Sequence, residues 1–319
     1  MRWFFRAAAA ALLLVTVLTA TGCGTPVDPA ASRTVSIGHA FGRTDIQGVP
    51  TRVVALSTQW LDIAQSLGVA PVGYIDNVAA LAAVPQAPWE PAAIRDAHPI
   101  DPKANIAEQV ARLQPDVILA PASVADKTLF DALARIAPTI PNLSSSQPDS
   151  WTDQLNVLGT VLDRESQAKS VEANITGRFD AILARNPTLR GKTFVSAFPA
   201  VPNQINVVAD PRDGAAVVLA KLGMVLPPKL VHDAGPTGRF TVPPERVPEL
   251  ASDLLIVSAA EPGADVLRNA PGYAELPAVR KGAVAVLDPA TGAGLSLPSP
   301  LSLPYVLDRL EAALAAAAT

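Results

Sequence analysis

Gly191-Lys192-Thr193 has the residue types that close a phosphate-binding loop. That chemistry needs a further glycine five residues upstream, so that backbone amides can wrap the phosphate, and Asn186-Pro187 stands there instead. The order of elements is also reversed, helix into strand, so nucleotide binding is excluded. His39, His98 and His232 lie far apart, with no pair at helical i, i+4 spacing for a metal. Ser144-Ser145-Ser146 lacks the flanking glycines of a nucleophile elbow and reads as a loop. What remains is a pair of glutamates. EQVARLQPDVILA (108–120) returns as ERVPELASDLLIV (245–257), with Glu108 and Glu245 each opening a helix that leads into an apolar strand. Capping and the helix dipole explain a first-turn carboxylate, and Asn105-x-x-Glu108 matches a capping box. A second role is compatible with capping: outward display of the same charges to a partner with two basic pockets.

The elements that carry these glutamates alternate between strand and helix. RVVAL (52–56) reads as a buried strand and LDIAQSLG (61–68) as a helix stopped at Gly68, where glycine suits a left-handed cap. Strands at 70–75, 116–120 and 138–143 alternate with helices from Asn105 and over 128–137. After residue 188 the pattern resumes: strands at 192–198, 205–209, 253–259 and 283–287, helices over 215–223, from Glu245 and over 305–318. Between the halves, Ala168, Val171, Ile175, Phe179 and Ile182 are spaced 3, 4, 4 and 3, the apolar stripe of one long helix that Pro187 ends. This predicts an α/β protein of two Rossmann-like three-layer lobes with parallel sheets, joined by a single long helix. Two helices ending in Leu-Gly, at 67–68 and 222–223, support a duplication.

The 319 residues suit two cores, 49% of them are hydrophobic, and a net charge of −4 offers nucleic acid no basic face. Arg2 and Arg6 precede an uncharged run (7–21) too short to span a bilayer, which reads as an export signal. Small residues then lead to Cys23, the only cysteine, in a segment that resembles a bacterial lipobox despite Ala20 where leucine is usual. The alternative is an ordinary signal with an incidental cysteine. The expected divisions are signal 1–22, lipidated tether 23–33, N-terminal lobe 34–162, linker helix 163–187 and C-terminal lobe 188–319.

Taken in order, 41–73, the first copy of the repeat, 134–140, the linker helix, the second copy, 276–288 and 300–310 resemble the iron-siderophore substrate-binding lipoproteins of ABC importers. The resemblance implies ligand in the cleft between the lobes, and permease docking through Glu108 and Glu245. It also implies a separate ATPase, a monomer, no cofactor beyond iron within the bound chelate, and anchoring at Cys23 on the outer face of the bacterial cytoplasmic membrane. Ligand residues should come from loops after strands: Trp60, Tyr74, Asp76 and Ser123 on the first lobe, Arg212 and Arg239 on the second. Each aromatic reads equally as core, and each arginine as a solvated ion pair. Aromatic content of 5% argues against an aromatic cage. Haem or cobalamin would suit the same fold. An envelope enzyme lacks a visible acid/base pair, and a non-transport envelope lipoprotein is the third class.

Overall fold

One hydrogen-bonded clamp occurs twice in the molecule. Asp116 accepts from the Thr51 amide at 2.7 Å, the Thr51 hydroxyl at 3.0 Å and the Arg52 amide at 2.8 Å. Asp253 accepts from the Thr193 amide at 2.9 Å and its hydroxyl at 3.0 Å. These are the aspartates of the repeated segment, and each fastens the start of its lobe's central strand to the strand beside it. Gly68 and Gly223, the two Leu-Gly caps, both sit at φ 73°, where a side chain is strained.

The computed structural model describes residues 33–319 apart from 92, 93, 95, 122–125, 145–148, 201–203 and 261–262. In the first half the elements run β1 (Thr34–His39), β2 (Gly42–Gln47), β3 (Val53–Ala55), α1 (Thr58–Ser66), β4 (Gly73–Tyr74), α2 (Asn77–Ala82), β5 (His98–Pro99), α3 (Ile106–Leu113), β6 (Val117–Leu119), α4 (Lys127–Ala134), β7 (Thr139–Ile140) and α5 (Trp151–Val161). The spine is α6 (Glu165–Arg185). The second half runs β8 (Phe194–Ala200), β9 (Gln204–Val208), α7 (Gly214–Lys221), α8 (Pro228–Ala234), β10 (Arg239–Val242), β11 (Leu254–Ser258), α9 (Gly263–Arg268), α10 (Pro277–Lys281), β12 (Val284–Leu287), α11 (Pro289–Ser296) and α12 (Ser302–Ala317).

The first sheet, ordered β5-β4-β3-β6-β7, is parallel throughout. Val53 and Ala55 enter one core with α1 and α5, while Val54 enters another with Val110 and Leu133 on the opposite face. Burial on both faces is what an unbroken apolar strand requires. A hairpin of β1 and β2 rests against β7, with the Thr44 hydroxyl donating to the Thr139 carbonyl at 2.8 Å.

The second sheet, ordered β10-β9-β8-β11-β12, departs from the all-parallel expectation. Strands β8, β11 and β12 are parallel and repeat the first lobe, but β9 and β10 are antiparallel. Only residues 201–203 join β8 to β9, and a parallel return needs a crossover of about a dozen residues. The Glu245 segment departs too. It is a 3-10 helix, Pro244–Leu250, because Pro248 has no amide to donate to an α-helical turn.

At 1.5 Å per residue, α6 spans about 30 Å. It buries Ala168 in the first lobe's core and Ile175, Phe179 and Ile182 in the second's, while Val171 touches both. The lobes therefore share one rigid element. They also share a second seam, formed where α11 meets the first lobe.

Candidate functional site: a cavity between the lobes

Helix α11, of sequence PATGAGLS, is small or apolar on every side, as suits a helix with no solvent face. Asp288 caps it by accepting from the Thr291 amide at 3.0 Å, and Pro289 occupies its first turn. Its glycines mark close approaches: a Cβ on Gly292 would stand 2.2 Å from the Ser258 hydroxyl of β11, and one on Gly294 would stand 2.3 Å from the Trp89 ring. Val78 and Ala87 of the first lobe pack with Ala290, adding an apolar seam between the halves.

Beside that seam lies a buried polar cluster. Asp62 of α1, with no exposed surface, accepts from Trp89 Nε1 at 2.8 Å and from the Ser299 hydroxyl across the junction. Gln59 Nε2 donates to the Pro298 carbonyl at 3.0 Å, a second crossing. Trp89 reaches the second lobe again through Tyr305, ring centres 5.7 Å apart. Burial, then contact with Glu90, pushes the Asp62 carboxyl well up from its ordinary range. Burial also raises Glu90, which accepts from Gln65 Nε2 at 2.6 Å. A proton shared within this carboxyl pair is the state compatible with a site that excludes water.

The seam borders a cavity of about 790 Å³. Leu81 of α2, 71% exposed, contributes from the first lobe. Phe198, Val208 and Leu297 form apolar wall on the second, with Ser196 and Ser258 among them. The charged lining consists, among the described residues, of Asp210, Arg212, Asp213 and Arg239. Arg212 donates to Asp210 through Nε and Nη2, both at 3.0 Å, and holds that carboxyl below its ordinary range. Asp213 caps α7 by accepting from the Ala215 amide at 2.9 Å, and burial raises its carboxyl. Arg239 Nη2 approaches Asp213 at 3.4 Å.

Of the six ligand candidates, the structure brings Arg212 and Arg239 together in this lining. Trp60 is a correction. Ser57 caps α1, which puts Trp60 on the helix's inward face, wholly buried in the first core with no surface for a ligand. Asp76 is occupied as the cap of α2, accepting from the amides of Ala79 at 2.9 Å and Ala87 at 3.1 Å and from the Thr58 hydroxyl at 2.9 Å. Tyr74 is half-buried against the first core, away from the cavity lining, and burial raises its hydroxyl. Ser123 and Cys23 lie outside the described residues. Glu108 is exposed, its amide capped by Asn105 at 3.1 Å, and its carboxylate turns outward to Arg112 at 2.7 Å rather than back to the cap. Glu245 is exposed at the start of its 3-10 helix. Among the lining residues not foreseen, Leu81, Phe198 and Asp213 come from a short helix, a strand and a helix cap. Of these three, Asp213 carried a signal, an aspartate just before the apolar run GAAVVLA.

Two α/β lobes on one helical spine, with a hollow at their junction, define a cleft-type solute-binding protein. The chain belongs to the periplasmic binding protein family, whose model matches residues 53–291. The curated relatives are from Bacillus subtilis. The putative ABC transporter substrate-binding lipoprotein YhfQ is 29% identical over 174 residues, 51% of each chain, and the Fe(3+)-citrate-binding protein YfmC is 29% identical over 134 residues, 40% of each. The chain thus spans about half the length, or less, of the curated relatives it matches. Likeness of fold extends further. A periplasmic solute binding protein from Mycobacterium smegmatis has a TM-score of 0.74 at 22% identity, covering 90% of this chain and 99% of that one. The iron uptake ABC transporter substrate-binding protein PiaA from Streptococcus pneumoniae gives 0.69 at 24%, covering 89% and 99%.

Proposed function

We propose that this protein is the exported solute-binding subunit of an ABC importer, that it takes up a ferric siderophore between its lobes, and that it delivers it to a membrane permease served by a separate ATPase. The observation that carries the reading is the cavity itself: about 790 Å³, largely apolar, with two arginines converging on it, in a member of a solute-binding family. That volume is in the range that encloses a compact organic ligand. Relatives named for iron uptake and for Fe(3+)-citrate favour an iron chelate over other solutes. The reading involves no catalysis, and iron enters as cargo within its chelate.

The test is a titration of the protein lacking its signal with ferrichrome, Fe(3+)-citrate, haem and cobalamin, followed by tryptophan fluorescence. Saturable binding of a ferric chelate at micromolar concentration is the expected result. Binding of haem or cobalamin alone would reassign the cargo, and binding of none would remove the transport reading in favour of a non-transport envelope protein.

Among the described residues no helix is long and apolar enough to cross a membrane. We assign attachment to a lipid on Cys23, followed by a tether to Arg33. There the guanidinium donates to the Val161 carbonyl at 3.2 Å and pairs with Asp163 at 3.5 Å, beside the start of the spine. Cys23→Ser is expected to move the protein from the membrane fraction to the soluble fraction. Retention of the variant in membranes would refute the anchor.

A further inference from the structure

Both cavity arginines already hold a carboxylate, and this bears on the charge of what can enter. Asp210 takes both donors of one edge of the Arg212 guanidinium and also the Arg212 backbone amide at 2.9 Å. Asp213 cannot swing away from Arg239, because its side chain is only 8% exposed and is committed to capping α7. The two cations and two carboxylates cancel, and the rest of the described lining is neutral.

We propose that Asp210 and Asp213 are specificity determinants that admit ferric chelates of zero or positive net charge, of the tris-hydroxamate class, and reject multiply anionic chelates built from carboxylates or catecholates. This rests on the reading of the cavity as a chelate site and adds its charge selectivity. Each hydroxamate loses one proton on binding Fe(III), so a tris-hydroxamate complex is neutral at its metal core. Its oxygens accept hydrogen bonds from the remaining arginine N–H groups without disturbing the aspartates, and its carbon skeleton packs on Leu81, Phe198 and Val208. A citrate or catecholate complex retains excess negative charge. It would have to draw an arginine from its aspartate and then lie against that carboxylate. Repulsion against the wrong ligand is an economical source of selectivity, and like charges at such distances discriminate by about tenfold or more.

The experiment compares ferrichrome, as the neutral probe, with Fe(3+)-citrate, as the anionic one, on the wild type, Asp210→Asn and Asp213→Asn. Asparagine keeps the size of each side chain and still caps a helix. The wild type is expected to bind ferrichrome at least about tenfold more tightly than Fe(3+)-citrate. Asp210→Asn is expected to shift the ratio of ferrichrome to Fe(3+)-citrate affinity by about tenfold toward Fe(3+)-citrate, with an unchanged far-ultraviolet circular dichroism spectrum and thermal midpoint showing that the variant is folded. Asp213→Asn should act in the same direction. A wild type that prefers Fe(3+)-citrate, or an affinity ratio unmoved by both substitutions, overturns the charge selectivity while leaving the chelate reading in place. Binding of neither probe by any of the three proteins overturns both together.

Discussion

Asp62→Ala lowers the unfolding free energy by about 3 kcal/mol, enough to move the midpoint of thermal unfolding by about 5 °C in a protein of this size. The substitution strips the acceptor from the Trp89 indole N–H and from the Ser299 hydroxyl at the closed junction of the lobes. Each buried donor left without a partner costs about 1–3 kcal/mol. Asp62→Asn separates the role of shape from the role of charge. Its carbonyl oxygen accepts from the same two donors, and its amide supplies a permanent hydrogen toward Glu90 in place of the shared proton, so it should stay within about 1 kcal/mol of the wild type at neutral pH.

The same pair makes stability depend on pH. In the folded protein Asp62 and Glu90 are both raised, by burial first. The unfolded chain, with ordinary carboxyls, therefore binds fewer protons than the folded one above about pH 4. Stability then falls as pH rises, by up to about 1.4 kcal/mol per unit for each proton held only in the folded state, until the pH passes the folded-state values. Urea unfolding at pH 5 and pH 8 should show a clear loss at the higher pH in the wild type and a shallower one in Asp62→Asn. Equal slopes in the two proteins would mean that no proton is held at the junction.

The second large effect belongs to transport. In cells supplied with a chelate the protein binds, Glu108→Ala combined with Glu245→Ala is expected to reduce uptake about a hundredfold, with chelate affinity unchanged within about twofold. Both carboxylates are exposed, at the start of equivalent segments of the two lobes and outside the cavity lining. An interfacial charge pair contributes about 1.5 kcal/mol or more, near tenfold, and two such contacts multiply. Each single variant should lose part of the rate. Undiminished uptake by the double variant would return Glu108 to its pairing with Arg112 and Glu245 to the helix terminus.

The architecture was legible because it rests on period. The spine followed from apolar spacing, and the Leu-Gly caps and strand-forming runs from local chemistry that tertiary packing did not override. The repeat signalled the duplication, and its aspartates turned out to carry the matching clamps on Thr51 and Thr193. Helix α11 was hidden by its own composition: PATGAGLS reads as a loop, and only burial between two lobes makes such glycines useful. Trp60 shows the limit for a site. A residue just after a strand faces either cleft or core according to where the next helix begins, and the cap at Ser57 turned the ring inward while leaving Gln59 to reach the other lobe. Asp62 and Ser299 carry no mutual signal across so long a stretch of sequence.

That separation has a consequence for the order of assembly. The bond from Ser299 to Asp62 spans 237 residues, whereas the fully buried part of the second lobe's main core begins at Ile175 and that of the first lobe's ends at Ala168, with Trp151 and Val171 touching both. Each half can complete its own sheet before the other exists. Closing so long a loop from an open chain would cost about 5 kcal/mol of entropy, but once α6 has formed, the two surfaces are already held near each other and most of that cost has been met. The junction thus forms last, and it waits on the final twenty or so residues of the chain. A polypeptide halted short of Ser299 retains every strand of both sheets, the spine and the packing of Ala290 against Val78 and Ala87, yet lacks the hydroxyl that meets Asp62 and all of α12.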